Sequence, residues 1–179
     1  MKKILKNPSV DVLLRYLIIL LIAIPNLWIF YAILTPLTIY ATYFLFNIFF
    51  SDVSLVTNTI KLGCFPIEII NSCVAGSAYY LLLLLNFSTK DIKWKKRLTI
   101  LSLAFASLFI MNIIRIFALS IMAYHGNPLF DVSHQIFWYF LSTFFVVVIW
   151  FTEVKYFKIK SIPFYTDLKF IYKKSLFNK

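Results

Sequence analysis

Long apolar stretches with few polar breaks set the pattern of this chain. Five stand out: Val12 to Pro25, Trp28 to Phe50, Cys73 to Phe87, Leu98 to Tyr124 and His134 to Phe151. Crossing a bilayer takes about 20 predominantly apolar residues in a helix, and the longer stretches reach that length. The pattern predicts an all-α fold, a polytopic transmembrane helix bundle with about five to six membrane segments. Pro36 interrupts the second stretch and predicts a bend there. Between the second and third stretches, Val53, Leu55, Thr57, Thr59 and Lys61 alternate with their neighbours, and Pro66 follows. This predicts a short extended hairpin lying over the mouth of the bundle.

Composition agrees with a membrane chain. Of the 179 residues, 61% are hydrophobic and 14% charged. A soluble domain carries about 25% charged residues. Residues 1–179 read as one membrane-embedded domain. Lys and Arg outnumber Asp and Glu by 18 to 7, a net charge of +11. The bases cluster at Lys2, Lys3 and Lys6, at Lys90 to Arg97, and from Lys155 to Lys179. Flanking clusters of this kind set membrane topology and attract anionic headgroups, so they argue against a nucleic-acid partner. Residues 152–179 alternate basic and aromatic positions, as expected of a basic amphipathic tail on the cytoplasmic headgroup layer.

The basic loops predict an orientation. With Lys90 to Arg97 and the tail cytoplasmic, residues 51–72 and the Gly126–Pro128 turn face outward. An odd number of crossings must then precede Asp52. The expected solution is one uncleaved span up to about Pro25, then a re-entrant or interfacial helix bent at Pro36. Two full spans with an external N-terminus is the competitor.

Against this apolar background three polar residues carry the chemistry. Cys73 opens the third stretch after Asn71 and Ser72, which are expected to cap its helix. A helix N-terminus favours thiolate over thiol. Cys73, Gly76, Ser77 and Tyr80 share a face by helical spacing, and small residues there admit a second helix close to the thiol. Alone, such a cysteine reads as a small apolar filler. Arg115 lies ten or so residues from either end of its stretch, where burial costs at least about 2.5–3.5 kcal/mol and marks function. Asn112, three residues earlier, is placed to hold it. His134 starts the last stretch on the same side as Cys73, and its imidazole can exchange the proton that acyl transfer requires. Glu68 could pair with Arg115 or a substrate cation, and Asp131 could cap the last helix or orient the imidazole. His125 rivals His134. Nucleophile, cation and base together suit acyl transfer.

Other chemistries lack their motifs: there is no HExxH, no GxSxG, no phosphate loop and no pair of intramembrane aspartates. No metal or nucleotide cofactor is indicated. Cys64 and Cys73, the two cysteines, form no CxxC pair and imply no disulfide framework.

The order N-S-Cys73-x-x-Gly76, N-x-x-Arg115-I and His134 at the next helix start resembles the exosortase/archaeosortase family. The likeness extends over about residues 17–150, including TPLTIYATYFLF and VSLVTNTIKL. It implies a polytopic cysteine transpeptidase in the plasma membrane, its site on the extracytoplasmic side. The partner would be a surface protein with a C-terminal sorting signal: a short motif, a transmembrane helix and a basic tail. Cys73 would be the nucleophile, Arg115 the acyl-site stabiliser and His134 the base or acid. The acceptor would be a lipid amine, another amine or water. The family's Cys-Ser-Gly is here Cys73-Val74-Ala75-Gly76, a departure that bears on the local turn. The short chain fits a compact, archaeal-type member. Two rivals remain: a scaffold or transporter subunit using Arg115 to hold an anion, and a lipid-directed acyltransferase that shares the thiol.

Overall fold

The computed structural model describes residues 8–24 and 27–176. Lys2, Lys3, Lys6 and the expected span end at Pro25 lie outside the described residues. Helices α1 (Pro8–Ala23) and α2 (Trp28–Phe49) are followed by three short strands, β1 (Val53–Val56), β2 (Thr59–Leu62) and β3 (Phe65–Glu68). Then come α3 (Asn71–Val74), α4 (Gly76–Phe87), α5 (Trp94–Tyr124), α6 (Phe130–Ile136), a π-helical turn (Phe137–Leu141), α7 (Ser142–Tyr156) and α8 (Tyr165–Leu176). The fold is a helical membrane bundle with a small sheet at one end.

Three helical stretches are long and apolar enough to cross a membrane: Trp28–Phe49, Trp94–Tyr124 and the continuous Phe130–Tyr156. At 31 residues α5 is about 46 Å long, against a hydrocarbon thickness of about 30 Å. It is the spine against which α2, α4 and α7 pack. Its two ends give the molecule two poles, a basic end near Trp94 and a sheet end near Tyr124.

Ring and hydrogen-bond contacts fix the heights of α1 and α2 along this spine. At the basic end Arg15 of α1 reaches the carbonyls of Phe87 and Thr89, and four residues on the Ile19 carbonyl accepts from the Tyr80 hydroxyl. Phe30 meets Tyr79 and Phe105 at mid-height. Phe46 meets Phe117, and Phe50 meets Tyr124 at the sheet end. Both helices therefore run in the same direction, and together they cross once. The break falls at Leu27, which takes a left-handed backbone (φ 58°). The expected re-entrant helix bent at Pro36 is thus corrected: α2 is one continuous helix through Pro36. A proline removes one backbone donor, and neighbouring helices make that tolerable inside a bundle.

The strands form an antiparallel meander in the order β1-β2-β3, one strand more than the expected hairpin. Val56 pairs with Thr59 and Leu62 with Phe65, so each turn has two residues. Gly63 supplies the left-handed position (φ 57°) of the second turn, as two-residue hairpin loops require. Ile60 and Leu62 point inward and join Ile39, Phe46, Ile69 and Ile116 in a buried cluster. A sheet with open edges cannot sit in hydrocarbon, so this end stands at or beyond the headgroups.

At the basic end α8 is tied to the rest of the bundle. Its Asp167 is buried to 1% exposure and forms an ion pair with Arg15 (2.8 Å), and the Phe164 amide just before it donates to the Ser88 carbonyl.

Candidate active site

Residues 70–76 decide how the thiol is presented. Ile70 is extended, α3 makes a single helical turn, and Ala75 then adopts a left-handed backbone (φ 58°) before α4 begins at Gly76. Asn71 and Ser72 lie inside α3 and do not cap it; Ile70 holds the cap position without a side-chain bond. Cys73 is therefore not at the N-terminus of the long helix, and one turn of backbone supplies little dipole. The kink at Ala75 also breaks the expected shared face. Cys73 and Ser77 line different clefts, Gly76 is buried against the Tyr31 ring, and Tyr80 bonds to α1.

What holds the cysteine turn is α5. Buried Asn112 donates from Nδ2 to the Cys73 carbonyl (2.8 Å), tying the nucleophile's backbone to the spine. The expectation that Asn112 holds Arg115 is corrected, because its amide is spent on α3. Arg115 instead donates from Nη1 to Ser142 Oγ (3.1 Å), and that hydroxyl donates to the Phe137 carbonyl (2.8 Å). The π-helical turn makes this relay. Its wider winding brings the Phe137 carbonyl to both the amide and the hydroxyl of Ser142. The Arg115 Nε is buried with no hydrogen-bond partner among the described residues. A guanidinium held by one hydroxyl keeps donors for something else.

Cys73, Arg115, His134 and Glu68 line one cleft of about 320 Å³, floored by Ile116 and Leu119. Cys73 is half-buried and its thiol free. His134 comes in from α6 with its ring stacked on Phe130 at 5.7 Å between centroids. Glu68 ends β3 at the rim, exposed; among the described residues it makes no ion pair with Arg115. Asp131 lies in the first turn of α6, exposed, outside the cap position and not among the lining residues. Gly76 works at a distance: a Cβ added there would come within 2.8 Å of the Tyr31 ring, so its bareness is what lets α2 and α4 close up. Sequence reasoning missed Ser142 and Tyr31. Ser142 and Thr143 are a polar pair inside an otherwise apolar run, and that signal was readable.

On the far side of Arg115 is a second, smaller cleft of about 190 Å³, lined by Tyr31, Asn71, Ser72, Ser77, Arg115 and Ser142. The arginine stands between the two.

A thiol, a guanidinium with open donors and an imidazole line one cleft at the sheet end of a helical membrane bundle, a set of groups of the kind acyl transfer uses. The family model described as Transmembrane exosortase (Exosortase_EpsH) matches residues 4–152. The chain belongs to the exosortase family, whose members act on C-terminal sorting signals of proteins. Comparison with curated proteins and with solved structures gives no match.

Proposed function

We propose that this exosortase is a cysteine transpeptidase in which Cys73 is the nucleophile, Arg115 the charge stabiliser and His134 the proton carrier. The observation that carries the reading is the common cleft: residues 42 and 19 positions apart in the sequence meet around one space at the sheet end. The sheet end would face the extracytoplasmic side of the plasma membrane, as the basic clusters at the opposite end direct.

The chemistry runs in two halves. The Cys73 thiol passes its proton to His134, the thiolate attacks the peptide carbonyl at the sorting motif, and the electron pair of the C=O moves to oxygen. Arg115, held by Ser142 through one Nη, has other donors to offer that oxyanion. Collapse breaks the C–N bond, His134 protonates the departing amine, and the substrate's membrane helix leaves. The thioester is then attacked by an acceptor amine (or water), His134 takes its proton, and Cys73 is released. A lipid amine is the acceptor that lies nearest to hand in a bilayer. Asn112 positions Cys73 through its carbonyl, and Glu68 at the rim attracts a cationic part of the sorting motif or acceptor.

Co-expression with a surface protein carrying a tripartite C-terminal signal tests this directly. The intact enzyme should shorten the substrate by its terminal helix, with an added mass that identifies the acceptor. Cys73→Ala should leave full-length precursor while inserting normally. Normal processing by Cys73→Ala would remove Cys73 from the mechanism. Dependence on Arg115 but not on Cys73 would favour the scaffold that holds an anion.

A further inference from the structure

A second polar anomaly lies toward the basic end, away from the thiol. Glu153 of α7 is buried to 7% exposure, and among the described residues neither of its carboxylate oxygens has a hydrogen-bond partner. It lines a cleft of about 250 Å³ between α5 and α7 whose other walls include Leu103, Val148, Ile149 and Tyr156. Ser107 and Thr152 add hydroxyls to the lining but make no bond to Glu153, and a carboxylate left unpaired in a mostly apolar cleft is costly unless a cation or donor reaches it. Phe157 also lines the cleft, and the lysine beside it is committed elsewhere: Lys96 donates to the Phe157 carbonyl (2.8 Å), with its ammonium over the Phe157 ring. In a protein of net charge +11, this carboxylate is an inversion of the local sign.

The cleft is large enough to admit side chains of a helix laid along α5 and α7. Its walls are ridges of two neighbouring helices, its surface is mostly apolar, and its acid lies in the last turn of α7. We infer that this α5–α7 groove docks the transmembrane helix of the protein being processed, with Glu153 receiving a lysine or arginine at that helix's end. The inference rests on the transpeptidase reading, since it places the processed protein's helix along α7. It also sets a length. Ser142, which holds Arg115, and Glu153 are eleven residues apart on α7. At the rise of an α-helix that is about 16 Å. The cation should therefore follow the cleaved bond by at least that helical distance. The groove and acid select by both length and charge.

Photo-crosslinking tests the groove without using the thiol. A crosslinking amino acid replaces Val148, a groove residue 43% exposed, in the Cys73→Ala enzyme in native membranes. The probe is a co-expressed protein with a C-terminal sorting signal carrying one lysine at the end of its membrane helix. The adduct should form, fall about tenfold when that lysine becomes glutamine, and fall equally in Glu153→Gln, as loss of a charge-assisted bond predicts. Glu153→Lys should abolish it and recover it with a probe carrying glutamate in place of lysine. Moving the lysine four residues toward the motif should also lower the yield. Adduct yield indifferent to the probe's charge would overturn the inference. Glu153 variants that change bound amine lipid, measured by mass spectrometry, while treating all probes alike would assign the groove to lipid instead. Because Cys73 is absent throughout, a charge-dependent adduct with no cleavage by the intact enzyme would sink the transpeptidase reading and leave the groove standing.

Discussion

Two arginines, one toward each end of the bundle, are treated in opposite ways. At the basic end Arg15 has no exposed surface and is saturated. Its Nε donates to Asp11 (3.0 Å), Nη1 to the carbonyls of Phe87 (2.7 Å) and Thr89 (3.3 Å), and Nη2 to Asp167 (2.8 Å). Arg97 beside it donates to the carbonyls of Asn86 and Thr89 and lies over the rings of Phe87 and Trp94; its Nε, like that of Arg115, has no partner among the described residues, so the two ends differ in the carbonyls and rings that occupy Arg97 and the open cleft beside Arg115. Arg115, toward the sheet end, has one hydroxyl, an orphaned Nε and a cleft. Saturation makes a clasp, because the donors are consumed in tying α1, α4 and α8 together. Undersaturation leaves electrostatic capacity that folding has not consumed, and that capacity is what a developing oxyanion can draw on.

The contrast breaks most sharply at Arg15. Arg15→Ala leaves Asp167, at 1% exposure, as an uncompensated buried charge. Removing one member of a buried pair costs about 3–5 kcal/mol. Thermal unfolding in detergent should show that loss, while the fraction that remains folded should cleave substrate normally. Reduced cleavage per folded molecule would make the clasp part of the site.

Arg115→Lys should give the reverse pattern. The charge survives, but an ammonium presents its donors from a single nitrogen and lacks the planar fork that lets one arm hold Ser142 while the others face the cleft. Loss of one stabilising donor in an oxyanion site typically lowers turnover about 10²–10³-fold. The melting temperature should stay near that of the intact protein. A variant that unfolds early yet turns over normally when folded would place Arg115 with the clasps.

The same two arginines show what the sequence made legible. Arg115 stands alone in the middle of a long apolar run, so its cost and its meaning could be read from one stretch of text. Cys73 and His134, each bland alone, gained weight only from falling on the same side as that arginine, whereas the helical bundle was readable because hydrophobic length depends on consecutive residues. Arg15 sits seven residues into its helix, where the eye files it with the flanking charges that set topology; its partner Asp167 is 152 residues away. Nothing local announces such a pairing. The capping of Cys73 failed for a related reason. Asn71 and Ser72 are good caps by type, but Asn112 from α5 fixes the turn and Ala75 bends it. Tertiary contacts outweigh local preference. The third strand was hidden by Pro66, which an edge strand tolerates.

Smaller effects sharpen the comparison at the turn beside the thiol. Gly76→Ala forces the Tyr31 ring aside, since the new methyl would lie 2.8 Å from two of its carbons. Overpacking of this kind costs about 1–3 kcal/mol. Tyr31 also lines the smaller cleft next to Arg115, so turnover should fall along with stability. Relief by the double variant Gly76→Ala, Tyr31→Leu would locate the cost in that contact. No recovery would mean that Gly76 serves the backbone.

Ala75 offers the mildest intervention and separates backbone from side chain. Its backbone is left-handed, a conformation that costs a residue with a Cβ about 1–2 kcal/mol and that glycine adopts freely. Glycine loses more freedom on folding, which offsets about 0.5–1 kcal/mol of that gain. Ala75→Gly should therefore leave stability unchanged or raise it by up to about 1.5 kcal/mol, the difference of those terms. The Asn112 bond to the Cys73 carbonyl does not involve Ala75, so the thiol should keep its place and cleavage its rate. A clear loss of rate with unchanged or raised stability would show that the alanine's rigidity, and not Asn112, holds Cys73 toward Arg115. In that case the sheet end would owe its geometry to a strained turn, as the basic end owes its own to a saturated clasp.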